Sequence, residues 1–590
     1  MKRSEQKKEN TWNLEAMYDS QEKWLEEYAE ALSSLTRLEL YKGHLAESPD
    51  VLFNALEEIR KITMNVESLC VWASLQYESD AGDASKQKNA GLASSLSAAY
   101  SEAVSWFDPE VMAIEKEKLE KWLSEDRFAE YRIFMSKLLR MKEHTLSAAE
   151  ERLLSLNTEA SSACQDAFHD LNDVDLDFGF INNEKLTQSS FRVFIQDKDE
   201  NIRKEAYEKL YRQYEKHQHV IAKLYAGSVN QDIFQARARG YSSSLEAALY
   251  PDDVPQSVYD NLIDAVHESF PVLHRYYRLR AKLLGKEKLR HYDVYLPMVA
   301  DVSSVYTYDE AVELIKKAVS PLGKEYTDIL VKGLTEDRWV DRYENEGKRS
   351  GAFSSGAYTS MPYILTNYKD DILDSVFTLI HEGGHSMHSY YSARNNPFMH
   401  YEYSIFEAEV ASTFNEELLS RYLIASSSDD RMKAYLIASR LDDIVATLFR
   451  QTMFAEFEKK VHEEVENGGV ATFDYLRKTY RSLLEAYFGP DVEFEEYSDL
   501  ECFRIPHFYN AFYVYKYSTG ICAAIALVNR VLEGGEKERE EYLSFLKRGG
   551  SMYPIGNLKA AGVDMSGKES VKSAIGYFSR LLCQLEELTE

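Results

Sequence analysis

Hydrophobic residues between positions 15 and 170 recur every three or four places. EKWLEEYAEALSSLTRLELY and AEERLLSLNTEASSACQDAFHDL set leucine, alanine and aromatic side chains among Glu and Lys at that interval, the period of an amphipathic helix. A helical region packed as antiparallel hairpins is predicted. Between 172 and 196 the period shortens. NDVDLDFGFINNEKLTQSSFRVFIQ alternates around a polar INNEK turn, which predicts a β-hairpin and a domain junction. Helical spacing returns from 198 and runs to Gly240, a residue suited to ending a helix. Pro-containing breaks at YPDDVPQS and SFPVL separate the helices that follow.

Residues 339–370 break the pattern again. WVDRYENEGKRSGAFSSGAYTSMPYILTNYKDD is rich in Gly, Ser and Tyr before it offers one short apolar run, PYILTNY, so a loop and then a strand are expected. From 371 to 590 nearly everything reads as helix. The most apolar stretch, GICAAIALVNRVL at 520–532, is interrupted by Asn529 and Arg530, well short of the roughly 18 residues a membrane-spanning helix needs. It reads as a buried core helix. No fixed-period repeat, heptad series or low-complexity tract is present, which removes solenoid and fibrous folds.

Composition narrows the function. The 590 residues, 44% hydrophobic and 28% charged, are ordinary globular material, enough for one large fold or several units. A net charge of −29 repels phosphate backbones and anionic lipid, so neither nucleic acid nor membrane is an expected partner. Cys70, Cys164, Cys502, Cys522 and Cys583 are odd in number and form no C-x-x-C pair. That argues against a disulfide framework or a thiolate metal site and fits a reducing cytoplasm. The opening MKRSEQKKENTWNLEAMY has no apolar signal core, so export is not expected.

Candidate chemistry sits in FTLIHEGGHSMHSYY at 377–391. With His381 at 0° and about 100° per residue, His385 falls near 40°, Glu382 near 100° and His388 near 340°, with Asp374, Thr378 and Ser389 on the same side. Val376, Ile380, Gly383, Met387 and Tyr391 take the opposite sector and are expected in the core. The polar side lacks the Lys and Arg of a solvated face. His381-Glu382-x-x-His385 matches a metal clamp: two imidazoles one turn apart reach a single Zn²⁺, and the glutamate between them takes a proton from water. The alternative is a coincidental polar stripe. Gly383 and Gly384 lie on the packed side, where a missing side chain lets another backbone approach. His388 is about 10 Å of helix rise from His381, too far for the same ion. Substrate contact, support of the ligands and plain packing stay open for it.

A catalytic zinc needs a third protein ligand. YSIFEAEVASTFNEELLSRYL opens a further helix carrying Glu407, Glu409, Glu416 and Glu417. Ser412, Thr413 and Glu416 lie within about 60° of Glu409, whereas Glu407 falls near 160°, beside Phe414 and Leu418. Two antiparallel helices facing their polar stripes would gather His381, His385 and Glu409. Ser412 and Glu416 would then hydrogen-bond the imidazole N–H groups, unless that stripe is simply an exposed face.

HEGGHSMHSYYS, AEVASTFNE, the upstream GKRSGAFSSGAYTSMPYILTNY and the downstream RIPHFYNAFYVYKYSTG together resemble the oligoendopeptidase F family of thimet-oligopeptidase-like zinc peptidases. The motifs span about 350–520, in the family's order. The family's third ligand is the glutamate of the AEVAS segment, here Glu409, in agreement with helical phase. Gly383 departs from the family, where a bulkier apolar residue is common.

The resemblance implies a mainly α fold: a two-lobed helical zincin-type shell enclosing a deep substrate channel, with a small β element next to the active site. It implies an N-terminal helical region over 1–110, an oligopeptidase F-type N-terminal domain over 111–197 and a zinc peptidase catalytic domain over 198–590. One Zn²⁺ per chain and hydrolysis of short unstructured peptides, with folded proteins excluded, follow from it. It draws oxyanion donors from RIPHFYNAFYVYKYST; His507 and Tyr513 are favoured for that role, with Tyr509 and Tyr515 near the substrate. The PYILTNY strand is a candidate to pair with an extended substrate main chain. Two rivals stay open: a helical binding or scaffold protein whose site holds structural metal or none, and a zinc hydrolase of another substrate class.

Overall fold

The computed structural model describes residues 1–300 and 305–590. The fold is mainly α, with a few short strands. The chain forms two compact units, each discontinuous in sequence. One comprises Met1–Glu143, Ser303–Tyr422 and Leu527–Val563; the other comprises His144–Val302, Leu423–Ala526 and Asp564–Glu590. Segments far apart in sequence complete each core.

In the first unit, helix Pro49–Ser79 starts where Ser48 accepts the Val51 N–H and Pro49 occupies the first turn. Helix Ala84–Val104 starts where Asp83 accepts from Ser85 and Lys86. Each cap stabilises by about 1 kcal/mol. The two helices form an antiparallel hairpin, whose buried side packs Leu52, Leu56, Leu69, Trp72 and Leu96 with Trp24 of the preceding helix. The Trp24 and Trp72 rings stack with centroids 5.6 Å apart.

A three-stranded sheet belongs to the same unit. Tyr363–Leu365 is its centre, parallel to Val340–Asp341 and antiparallel to Phe353–Ser355, with Ile364 opposite both Val340 and Ser354. Tyr363 and Leu365 join the N-terminal core, and strand alternation turns Ile364 and Ser354 to the other face. Asp341 ties the chain's start to this sheet. Its buried carboxylate accepts from Arg3 at 2.7 Å and from the Lys348 ammonium at 2.8 Å. Burial opposes its charge, but the two cations hold it below the usual carboxylate range.

The second unit is organised around helix Glu200–Ala238, capped by Asp199. Its end follows the sequence expectation. Gly240 takes φ +76°, its N–H donates to Arg237 O at 3.1 Å, and Tyr241 N–H donates to Ala236 O at 2.9 Å, the pair of bonds that closes a Schellman motif. The INNEK turn is also a hairpin: Asn182 and Asn183 both have positive φ, and Phe180 and Ile181 pair with Lys185 and Glu184. It stays this short because helix Gln188–Phe194 begins three residues on. Within this unit, helix Tyr515–Glu533 buries Ile521, Ala523 and Ile525, as its composition predicts. Among the described residues no helix is long and apolar enough to cross a membrane.

Candidate active site

Helix Asp374–Asn395, the histidine helix, buries Val376, Ile380, Met387 and Tyr391 completely or nearly so. That leaves His381 and His385 on its other side, half-buried. Helix Ile405–Ser426, the glutamate helix, lies against it. Gly384 sets how closely they meet: a Cβ there would stand 2.6 Å from both Ala411 O and Ser412 Cα. Only glycine lets the two backbones approach to that extent. Gly383 faces the side chain of Leu330 instead, 3.1 Å from where its Cβ would be.

Close approach puts three ligand atoms in one place. The Nε2 atoms of His381 and His385 are 3.2 Å apart, and Glu409 Oε2 lies 3.6 Å from the first and 3.7 Å from the second. Donors about 2.0–2.1 Å from a tetrahedral zinc stand about 3.3 Å from one another. The triangle fits such an ion, and two imidazoles with one carboxylate suit zinc chemically.

Surrounding groups fix which nitrogens face the triangle. His381 Nδ1–H donates to Glu416 Oε1 at 2.5 Å, and the backbone of Ala408 lies near the His385 ring and favours its charged form. The Nε2 lone pair of His381 is therefore turned inward. As protein groups alone the two rings titrate apart. Burial opposes the charge on His381, but the hydrogen bond and charge of Glu416 outweigh it and push the pKa up to about 9. Burial and the charge of His381 push His385 down to about 4.

Glu416 thus takes the supporting role expected of it. Ser412 does not. Its hydroxyl donates to Glu409, at 3.1 Å to the backbone oxygen and 3.2 Å to Oε2, so it orients the carboxylate ligand and touches no imidazole. Glu407, off that stripe, is buried and accepts from Asn557 at 2.6 Å.

Glu382 is largely buried beside the triangle. Burial raises its pKa to about 7, with the Glu409 and Glu416 charges adding and His381 opposing. The backbone of Ser354, on an edge strand, lies near its carboxylate and favours the charged form, and Ser354 Oγ meets Ser386 Oγ of the histidine helix at 2.8 Å. A buried carboxyl that gains and loses a proton near neutrality, next to a three-donor cation site, can serve as a general base.

These features invite comparison with known proteins. The profile of Peptidase family M3 matches residues 193–577, and that of Oligopeptidase F matches residues 110–178. The chain belongs to peptidase family M3. This is a metallopeptidase family, so the cation site has a family context. An oligoendopeptidase F homolog of Borreliella burgdorferi is 39% identical over 589 residues, covering 99% of each chain. The oligopeptidase PepF of Bacillus subtilis is 39% identical over 592 residues, covering 99% of this chain and 88% of its own. The crystal structure of oligoendopeptidase-F from Enterococcus faecium superimposes with TM-score 0.74 at 34% identity, covering 96% of this chain and 99% of its own.

Other sequence candidates of this M3 peptidase fall differently. His388 is fully buried, stacked on Tyr403 at 3.6 Å between ring centroids and flanked by Phe545. It packs and does not offer itself to a substrate: helical phase gave its side of the helix, and the segment covering that side was invisible to phase. Tyr509 and Tyr515 are also corrected. Both are buried, Tyr509 stacked on Phe168 at 4.2 Å and Tyr515 against Tyr259 at 5.2 Å. His507 and Tyr513 are accessible. Tyr517 gathers them, with ring centroids 6.0 Å from His507 and 5.4 Å from Tyr513.

PYILTNY is a strand, as expected, but it lies in the middle of its sheet with both edges paired, so it has none left for a substrate. The edges belong to Val340–Asp341 and to Phe353–Ser355, the latter within the stretch expected to be loop. Its FSS sequence gave no strand pattern.

Proposed function

We propose that this chain is a zinc metalloendopeptidase of the cytoplasm that hydrolyses short unstructured oligopeptides, with Glu382 as general base and one Zn²⁺ per chain. The observation that carries this is the His381, His385 and Glu409 triangle with the Glu382 carboxyl beside it. His381, His385 and Glu409 would hold the ion; when bound, zinc polarises a carbonyl and makes water a stronger acid. Glu382 takes the proton of the attacking water as its oxygen bonds to the peptide carbonyl carbon. It then passes that proton to the amine nitrogen as the C–N bond breaks.

Negative charge on the carbonyl oxygen needs donors. We assign them to His507 and Tyr513, two polar rings of their segment that are not buried. The edge strand Phe353–Ser355, adjoining Glu382, supports binding of the substrate main chain as an added strand, which gives affinity with little side-chain selectivity. The related proteins named oligoendopeptidase and oligopeptidase support the substrate class. Five unpaired cysteines support a reducing compartment, and the net charge of −29 supports the exclusion of nucleic acid and anionic lipid as partners.

The test is incubation of the zinc-loaded protein with a mixed peptide pool and with a folded protein, followed by mass spectrometry. Internal cleavage of the peptides, abolished by a chelator and restored by Zn²⁺, is the expected result. An untouched pool would leave a scaffold or a hydrolase of other substrates in its place.

A further inference from the structure

Phe512 is an apolar residue in a conformation that suits glycine. Its φ is +58°, in the left-handed region where a bulky side chain is strained. Such a residue persists only where its surroundings over-determine it, and here helix Gln451–Glu466 supplies two of the groups that hold it.

Glu458 of that helix is completely buried, and its Oε1 accepts the Phe512 N–H at 3.2 Å. One turn on, His462 packs its ring 4.6 Å from the Phe512 ring between centroids. His462 is itself fastened, through Nδ1 to the Glu458 carbonyl at 2.9 Å and through Nε2 to Asp232 at 3.2 Å. Tyr259 closes the other side of Phe512 at 6.0 Å. Backbone and ring are thus held by two residues four apart. Burial, with the Asp232 charge adding, pushes the Glu458 carboxyl well above the usual range, so it acts as a neutral acceptor.

What this turn connects gives it a use. Phe508, four residues earlier, is anchored on Phe457 at 5.0 Å and Phe454 at 5.6 Å, and Val514, two residues later, is buried. Beside these anchors stand two polar rings that solvent reaches, His507, which is exposed, and Tyr513, which is partly so. We propose that Glu458 is a positioning residue: it locks the backbone of Phe512 in the turn that sets the direction of Tyr513 relative to His507. The proposal rests on the oxyanion role given to those two side chains above.

The test compares Glu458→Gln, which keeps an acceptor oxygen, with Glu458→Met, which fills the space without one. Both are made in the full zinc-loaded chain and assayed with a quenched fluorogenic peptide and by hydrogen exchange. Glu458→Met is expected to lower kcat by about 10- to 100-fold with KM little changed, and to speed exchange across 510–514. Glu458→Gln is expected to stay near the parent in both. Parental kcat or parental exchange in Glu458→Met overturns the proposal. Should that variant not fold, Glu458→Gln decides: a loss of more than about tenfold shows that an acidic proton is required and overturns the neutral clamp. His507→Ala and Tyr513→Phe are measured alongside. If neither lowers kcat, the oxyanion assignment fails, and the clamp's catalytic role fails with it. If they do lower kcat while Glu458→Met does not, the clamp alone is wrong.

Discussion

The Nδ1 atom of His381 and the Oε1 atom of Glu416 are 2.5 Å apart across a gap of 35 residues in sequence. This bond holds the His381 ring so that Nε2 faces Glu409 and His385. Removing the carboxylate frees the ring to rotate and weakens its basicity. Glu416→Gln should therefore lower zinc affinity by about 10- to 100-fold, measured by competition with a chelator of known affinity. Unchanged affinity would show that helix packing alone orients the ring.

Glu382 touches none of the three candidate ligand atoms but lies beside them. Glu382→Gln should keep its zinc, measured as metal content after dialysis, while kcat falls by about 10²- to 10⁴-fold. Near-parental turnover with metal retained would remove Glu382 from the role of base.

The two adjacent glycines should behave oppositely. Gly384→Ala gains roughly 1 kcal/mol of helix propensity but drives a methyl into the backbone at Ala411 and Ser412, which cannot step aside; overpacking of that kind costs about 1–3 kcal/mol. A lower Tm and a weakened metal site are expected together, since the same contact sets the ligand triangle. Gly383→Ala meets only a methyl of Leu330, and its Tm should stay close to the parent. Equal destabilisation by both would contradict the close helix approach.

Acid sensitivity should be traceable to Glu501. Its Oε2 accepts from Arg450 and from the Tyr480 hydroxyl, each at 2.7 Å. Burial raises the carboxyl's pKa, but the Arg450 charge, with His291 and these bonds, brings it down to about 2. A depressed folded value means stability that is present above the unfolded pKa, about 4.3, and lost as pH falls toward about 2. Glu501→Gln should cost about 3–5 kcal/mol at pH 7 by leaving Arg450 buried without its partner. The difference from the parent should narrow between pH 5 and the lowest pH that denaturant titrations reach. A constant difference would mean that lost packing, and not charge, is responsible.

Periodicity carried the helices because each one needs an apolar stripe whatever it packs against. The grouping of His381, His385 and Glu409 was legible for the same reason: the two histidines share one turn, and the glutamate shares a stripe with Glu416. Gly240 and the Asn182–Asn183 turn were legible because positive φ selects few residue types.

Other features depended on neighbours distant in sequence. His388 has the helical phase of a site residue, yet Tyr403 and Phe545 cover it. Ser412 shares the ligand stripe, yet bonds Glu409 itself. FSS became an edge strand because PYILTNY offered it a partner, and Phe512 took a glycine's conformation because Glu458 and His462 hold it there. By itself the sequence determined which residues share a face, since that follows from the repeat of the backbone. Only the tertiary structure decided which faces stay open and which are covered, since burial and register come from contacts between segments that no local pattern encodes.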